Sequence, residues 1–117
     1  MVYLKYEVLN MYECIEKDWK LFRTKIVNWQ ETYIGKKIDE YKELLNSNLV
    51  ASTKFWELDK KIKEDKHNPG VLIEGIRRSH LFDDIMSLIN YKVITIDDLA
   101  DFSDELKDAV NYFLKLR

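Results

Sequence analysis

The sequence predicts an all-α fold: a small helical bundle with one long N-terminal helix, a buried central helix and a C-terminal helical pair. Three observations carry this reading. Apolar residues recur at steps of three and four through most of the chain, the spacing that lines one face of a helix. Only three glycines and one proline occur in 117 residues, too few for the tight turns of a strand-rich fold. Lys, Glu and Leu, all good helix formers, are abundant. Together they set the expectation of more than about 65% helix and no sheet, in one domain over residues 1–117.

The first helix is read from a single stripe: Leu4, Val8, Tyr12, Ile15, Trp19, Phe22, Ile26, Trp29 and Tyr33. It continues with a phase shift through Ile38, Tyr41 and Leu45. If all of it is helical, it is on the order of 60 Å long at about 1.5 Å per residue. Gly35 lies at the phase change, where either a bend or an ordinary tolerated glycine fits. Asn46-Ser47-Asn48 ends the element. A second helix starts near Ser52 or Thr53, with Phe55, Leu58 and Ile62 inward and Trp56 on the shoulder. Asn68-Pro69-Gly70 is a strong turn signal, and Asn68 is placed to cap a third helix over about 71–90. That helix is apolar on two adjacent stripes, which predicts burial at the centre of the bundle. Thr95 and Asp98 have the spacing of a capping box, and Ile94 and Leu99 that of a hydrophobic staple, so a short helix is expected over about 96–101. Ser103 caps the last helix, which turns Leu106, Val110 and Phe113 inward.

Composition narrows the function. The chain is 46% hydrophobic and 34% charged, which suits a globular rather than a disordered protein. The one cysteine, Cys14, rules out an internal disulfide. No apolar run approaches the roughly 20 residues of a membrane span, and the N-terminal residues do not read as a signal peptide. The expected location is cytoplasmic, with no membrane partner. Net charge is −2. It is balanced over residues 1–50, positive over 51–80 and negative over 81–117, with no Lys/Arg cluster suited to a phosphate backbone.

The chemical motifs are thin. An EF-hand register over Ile94–Leu99 puts Ser87, Ile89 and Lys92 where calcium needs carboxylates and a glycine. A helix-turn-helix register from Thr95 to Val110 lacks the turn glycine and opens its recognition helix on Asp104-Glu105, which repels phosphate. His80, Asp83 and Asp84 share a helix but fall short of a zinc ligand set. Cys14 has no nucleophile context, and no phosphate-cradling loop occurs. The expectation is no catalytic residue, no metal and no cofactor. Arg77-Arg78 interrupts an apolar stretch; it reads as an anion clamp or, preferably, as an ion pair with the acidic segment 97–108. That segment holds Asp97, Asp98, Asp101, Asp104, Glu105 and Asp108, which reads first as capping and dipole complementarity and second as a patch for a basic partner.

Several runs resemble a group of small helical proteins of Gram-positive bacteria. They are Asp18–Arg23, Phe55–Leu58, Lys63–Lys66 with Pro69-Gly70-Val71, Ile94-Thr95 with Asp98-Leu99, and Phe102–Lys107. The likeness covers about residues 15–113, leaving Glu74–Ser79 aside. It implies a bacterial or mobile-element setting and no established activity.

The sequence therefore leads to a non-enzymatic interaction or regulatory protein, homodimeric through the first helix. The alternatives are an acidic inhibitor or anti-defence factor that blocks a nucleic-acid enzyme, and a helix-turn-helix-like regulator, with nucleic-acid binding disfavoured. The candidate partner-binding residues are Trp19, Phe22, Trp29, Tyr33, Arg77, Arg78, Asp97, Asp98, Asp101 and Asp104.

Overall fold

The computed structural model describes residues 12–116 and is 70% helical, with no strand among the described residues. Among the described residues, four α-helices follow in order: α1 (Glu16–Leu45), α2 (Ala51–Asp65), α3 (Leu81–Asn90) and α4 (Asp104–Lys115). Two short 3₁₀ turns, Arg78–His80 and Ile96–Leu99, precede α3 and α4. The all-α expectation therefore holds. Two of its boundaries do not.

The first concerns α1. It begins at Glu16, so its 30 residues span about 45 Å rather than 60. Tyr12 and Ile15 belong to the stripe's spacing but not to the helix. The Tyr12 hydroxyl donates to Asp18 Oδ2 at 3.0 Å and accepts the Ile15 N–H at 3.3 Å, which folds residues 12–15 across the helix start. Leu4 and Val8 lie outside the described residues. At the other end α1 runs through Gly35, where no neighbour lies within 4 Å of an added Cβ, so this glycine is simply tolerated.

The second concerns residues 71–77, expected to be helical. The Asn68 side chain accepts the Gly70 N–H at 2.8 Å, and Val71 N–H returns to the Asn68 carbonyl at 2.9 Å. One turn forms and then stops. Gly75 sits at φ +63°, a left-handed conformation that ends any helix and suits glycine. Leu72 and Ile76, which lie on one apolar stripe of the helix expected over about 71–90 and would face inward there, are exposed. This stretch carries the chain from the end of α2 back to α3, and non-helical chain covers more distance per residue than helix.

The core forms around α3, which buries five of its ten residues: Leu81, Phe82, Ile85, Met86 and Leu88. Trp19, Phe22 and Ile26 of α1 join Leu106, Ala109 and Val110 of α4 in the same cluster. The predicted central helix is thus present, but half as long as expected. It ends in a Schellman turn: Val93 N–H meets the Leu88 carbonyl at 2.9 Å and Lys92 N–H the Ile89 carbonyl at 3.0 Å. Lys92 takes the left-handed position at φ 60°, where glycine is usual. The capping box at Thr95 and Asp98 is present, and its strong half is the Asp98 carboxylate accepting the Thr95 N–H at 2.7 Å. The staple residues Ile94 and Leu99 are both buried. Ser103 caps α4, its hydroxyl accepting the Leu106 N–H at 3.2 Å.

Helix α2 folds back on the C-terminal half of α1 and makes a hairpin arm. The seam is polar as much as apolar. Lys37 reaches Asp65 at 3.6 Å, the Tyr41 hydroxyl donates to Asp65, and Asn68 Nδ2 donates to the Tyr33 hydroxyl at 2.8 Å. Ile38 and Leu45, which the shifted stripe places inward, are exposed instead. The arm makes the molecule long: 53 × 32 × 25 Å, with a radius of gyration of 17.2 Å. A compact domain of this length has a radius of about 13 Å.

Candidate interaction surfaces

The aromatic stripe is the first candidate surface, and the chain covers most of it. Phe22 is fully buried and Trp19 is 9% exposed. Trp29 is half-buried, edge-on to Phe22 at 6.3 Å and stacked on Phe102 at 6.2 Å. Tyr33 is half-buried against Gly70 in the hairpin seam. The stripe read as partner-binding is therefore core and seam. The reason is that α3 and α4 fold back onto the N-terminal half of α1, and the segment around Gly70 packs on its middle.

Arg78 is exposed, and its guanidinium contacts both Glu16 carboxylate oxygens, at 2.9 and 3.0 Å. It also lies 6.0 Å from the Trp19 ring centre, with Arg23 on the same ring at 5.7 Å. The expected pairing with the acidic segment 97–108 is not the one formed. The extended 71–77 segment delivers Arg78 to the start of α1 instead. Arg77 is exposed, and its guanidinium folds back beside Gly75.

The acidic residues find local work. Asp98 closes the capping box, Asp101 meets Lys25 at 3.4 Å, and Asp104 meets Lys107 at 3.4 Å in the first turn of α4. Asp97 is exposed in the four-residue 3₁₀ turn, an element too short for the first helix of a helix-turn-helix.

No cluster of three His, Cys, Asp or Glu suited to a metal occurs among the described residues. Asp84 has one buried oxygen without a hydrogen-bond partner, and burial raises its carboxyl pKa, with His80 opposing and Asp83 adding to the shift. Cys14 is exposed, and partial desolvation raises its thiol against the pull of Arg78, which leaves less thiolate at neutral pH. Among the described residues, no helix is long and apolar enough to cross a membrane.

Sequence reasoning missed two sites. One is structural: Asp18, fully buried, accepts the Ser103 N–H at 2.8 Å, the Ser103 hydroxyl at 2.6 Å and the Tyr12 hydroxyl at 3.0 Å. No local pattern links positions 85 residues apart. The other is the outer face of the arm. Helix α2 has no buried residue at all, and Phe55 and Trp56 are 63% and 65% exposed. Their rings meet edge-to-face at 5.0 Å. Phe55, expected inward with Leu58 and Ile62, is thus on the surface, while Leu58 and Ile62 are half-buried; two consecutive aromatics, about 100° apart on a helix, signalled only that one of them would be exposed.

No protein family, curated protein or solved structure matches the chain.

Proposed function

We propose that this protein is a non-enzymatic interaction module whose binding surface is the outer face of the α1–α2 arm. One observation carries the reading: an aromatic pair two-thirds exposed on a helix none of whose residues is fully buried. Scattered exposed apolar residues are ordinary, but a contiguous pair of large rings on a projecting helix is characteristic of a binding surface. Trp is among the residues most enriched at binding hot spots. The arm is braced for such a role, since Lys54 Nζ donates to the Leu45 carbonyl at 2.8 Å and Ser47 Oγ to the Leu44 carbonyl at 2.7 Å, which fixes its tip. A Gram-positive bacterial or mobile-element setting, implied by the sequence resemblance, belongs to the same proposal.

The test is a pull-down with the full chain from such a host, followed by calorimetry on purified components. The expected result is one defined protein bound by the native chain and lost by Phe55→Ser with Trp56→Ser while circular dichroism stays unchanged. Binding that survives both substitutions rejects this surface.

A further inference from the structure

We propose that the solvent face of α1 near its start docks an acidic segment of another protein, with carboxylates on Lys17, Lys20 and Arg23 and an apolar side chain beside Leu21. This surface is separate from the arm and stands on its own observations. Two hollows adjoin here. The larger, about 720 Å³, is lined by Glu16, Lys17, Lys20, Leu21, Thr24 and Asp101; the smaller, about 320 Å³, is lined by Lys20, Arg23 and Thr24. They share Lys20 and Thr24, so they form one surface across the helix. Lys17, Lys20, Leu21 and Thr24 stand at steps of three and four, which places them along one face of α1.

Charge selects the partner. The two carboxylates on the rim are already held, Glu16 by Arg78 at 2.9 Å and Asp101 by Lys25 at 3.4 Å. Lys17, Lys20 and Arg23 are exposed, and among the described residues none of them forms an ion pair, so the surface presents positive charge that the chain does not neutralise. Arg23 lies 5.7 Å from the Trp19 ring centre, which holds its guanidinium in place without cancelling its charge. Its donors remain for the forked bond that arginine makes with a carboxylate. The larger hollow adds an apolar element. Leu21 is half-buried there, and Thr24 spends its hydroxyl on the Lys20 carbonyl at 3.2 Å. Burying one aliphatic side chain beside Leu21 contributes what exposed ion pairs alone do not. A nucleic acid fits less well. Its phosphates would run past Glu16 and Asp101, and none of the lining residues is an aromatic on which a base could stack. The docked segment needs about four residues, since a helix with its side chains is about 10–12 Å across and an extended chain covers about 3.3 Å per residue.

The experiment is fluorescence anisotropy of a fluorescein-labelled peptide, one leucine flanked by a pair of glutamates on each side, titrated with the full chain. Saturable binding is expected at or below about 1 mM, the range of a short, weakly held segment. Lys17→Glu with Lys20→Glu should weaken it about tenfold or more, because two attractive pairs become repulsive, while circular dichroism stays unchanged. Serine in place of the peptide's leucine should weaken it severalfold, as should raising salt from about 0.05 to 0.5 M. Phe55→Ser with Trp56→Ser should leave it intact, which separates this surface from the arm. Absence of binding up to about 1 mM, or binding indifferent to the two charge reversals, overturns the proposal. Equal binding of a peptide with glutamine for every glutamate, or with serine for its leucine, also overturns it, since the surface then selects neither charge nor an apolar anchor. Duplex DNA or phosphatidylserine vesicles held as tightly as the peptide overturn the assignment to a protein segment.

Discussion

Replacing Asp18 by alanine is expected to cost this protein about 3–5 kcal/mol, since three donors lose their buried acceptor at about 1–3 kcal/mol each and the losses do not add in full. The magnitude follows from what the carboxylate holds. It is fully buried and accepts three hydrogen bonds, two of them from Ser103 at 2.8 and 2.6 Å. Bonds to a charged acceptor contribute about 1.5–3 kcal/mol each, but these share one carboxylate and do not add in full. Burying the charge also costs several kcal/mol, which removal recovers. What remains after truncation is an orphaned Ser103 N–H, a released Tyr12 hydroxyl and a void between Tyr12 and Ser103. Ser103 keeps its bond to the Leu106 N–H, so α4 loses its anchor rather than its cap. Asp18→Asn should cost less, about 1–2 kcal/mol, because the amide oxygen still accepts one N–H while its NH₂ group faces two hydroxyls that must turn to accept. The assay is urea unfolding followed by circular dichroism. With a slope of about 2 kcal/mol per molar, the midpoint should fall by about 2 M for alanine and by less than 1 M for asparagine. A double-mutant cycle with Ser103→Ala should show coupling of at least about 1 kcal/mol. An alanine variant within about 0.5 kcal/mol of the native protein, or additive losses at the two sites, would refute the account of Asp18 as the tie between α1 and α4.

Other expectations follow from the same geometry. Gly70→Ala should destabilise by about 1–3 kcal/mol, because its Cβ would stand 2.5 Å from the Tyr33 ring and 2.7 Å from Val93, whereas Gly35→Ala, with open space around it, should stabilise by about 0.5–1 kcal/mol; thermal melts of the pair decide it. Lys92→Gly should raise stability by about 1 kcal/mol by relieving a left-handed backbone at the end of α3, and an unchanged melting temperature contradicts the Schellman assignment. At the capping box, Asp98→Ala should cost at least as much as the roughly 1 kcal/mol of Thr95→Ala, with Leu99→Ala costing about 2–4; denaturant titration ranks the three. Burial and the Asp65 carboxylate push the Tyr41 phenol up to about 12, so its contribution to the arm is complete below pH 10 and lost as pH rises through 12. Tyrosinate absorbance at 295 nm should lose a late-titrating phenol in Tyr41→Phe, and an alkaline titration identical to the native one counts against the Tyr41–Asp65 bond.

Much of the architecture is written in local pattern. The cap at Ser103, the box at Thr95 and Asp98 and the staple of Ile94 with Leu99 each depend on residues within five positions of one another, and all are present. The stripe of Trp19, Phe22 and Ile26 was legible for the same reason: helical periodicity reports which face is apolar. Periodicity does not report what covers that face. It also marked Tyr12 and Ile15 as helical and carried α3 back to residue 71, because spacing alone cannot weigh a helical turn against a tertiary contact. At Tyr12 the competitor is a hydrogen bond to Asp18; at 71–77 it is the left-handed Gly75 and the distance the chain must cover.

The sequence by itself determined the all-α class, the long first helix, the order of elements and the caps of the C-terminal pair, since these follow from propensity, spacing and side-chain bonds over a few residues. Only the tertiary structure decided which apolar residues are core and which are surface. Trp19 and Trp56 sit in similar helical contexts, yet one lies under α3 and α4 and the other stands on a helix with no fully buried residue. Burial is a property of what folds back on a residue, here elements 60 to 90 positions away, and so are the Ser103–Asp18 tie and the Arg78–Glu16 pair. That distance is why the arm, rather than the stripe, emerged as the candidate surface only once the chain was folded.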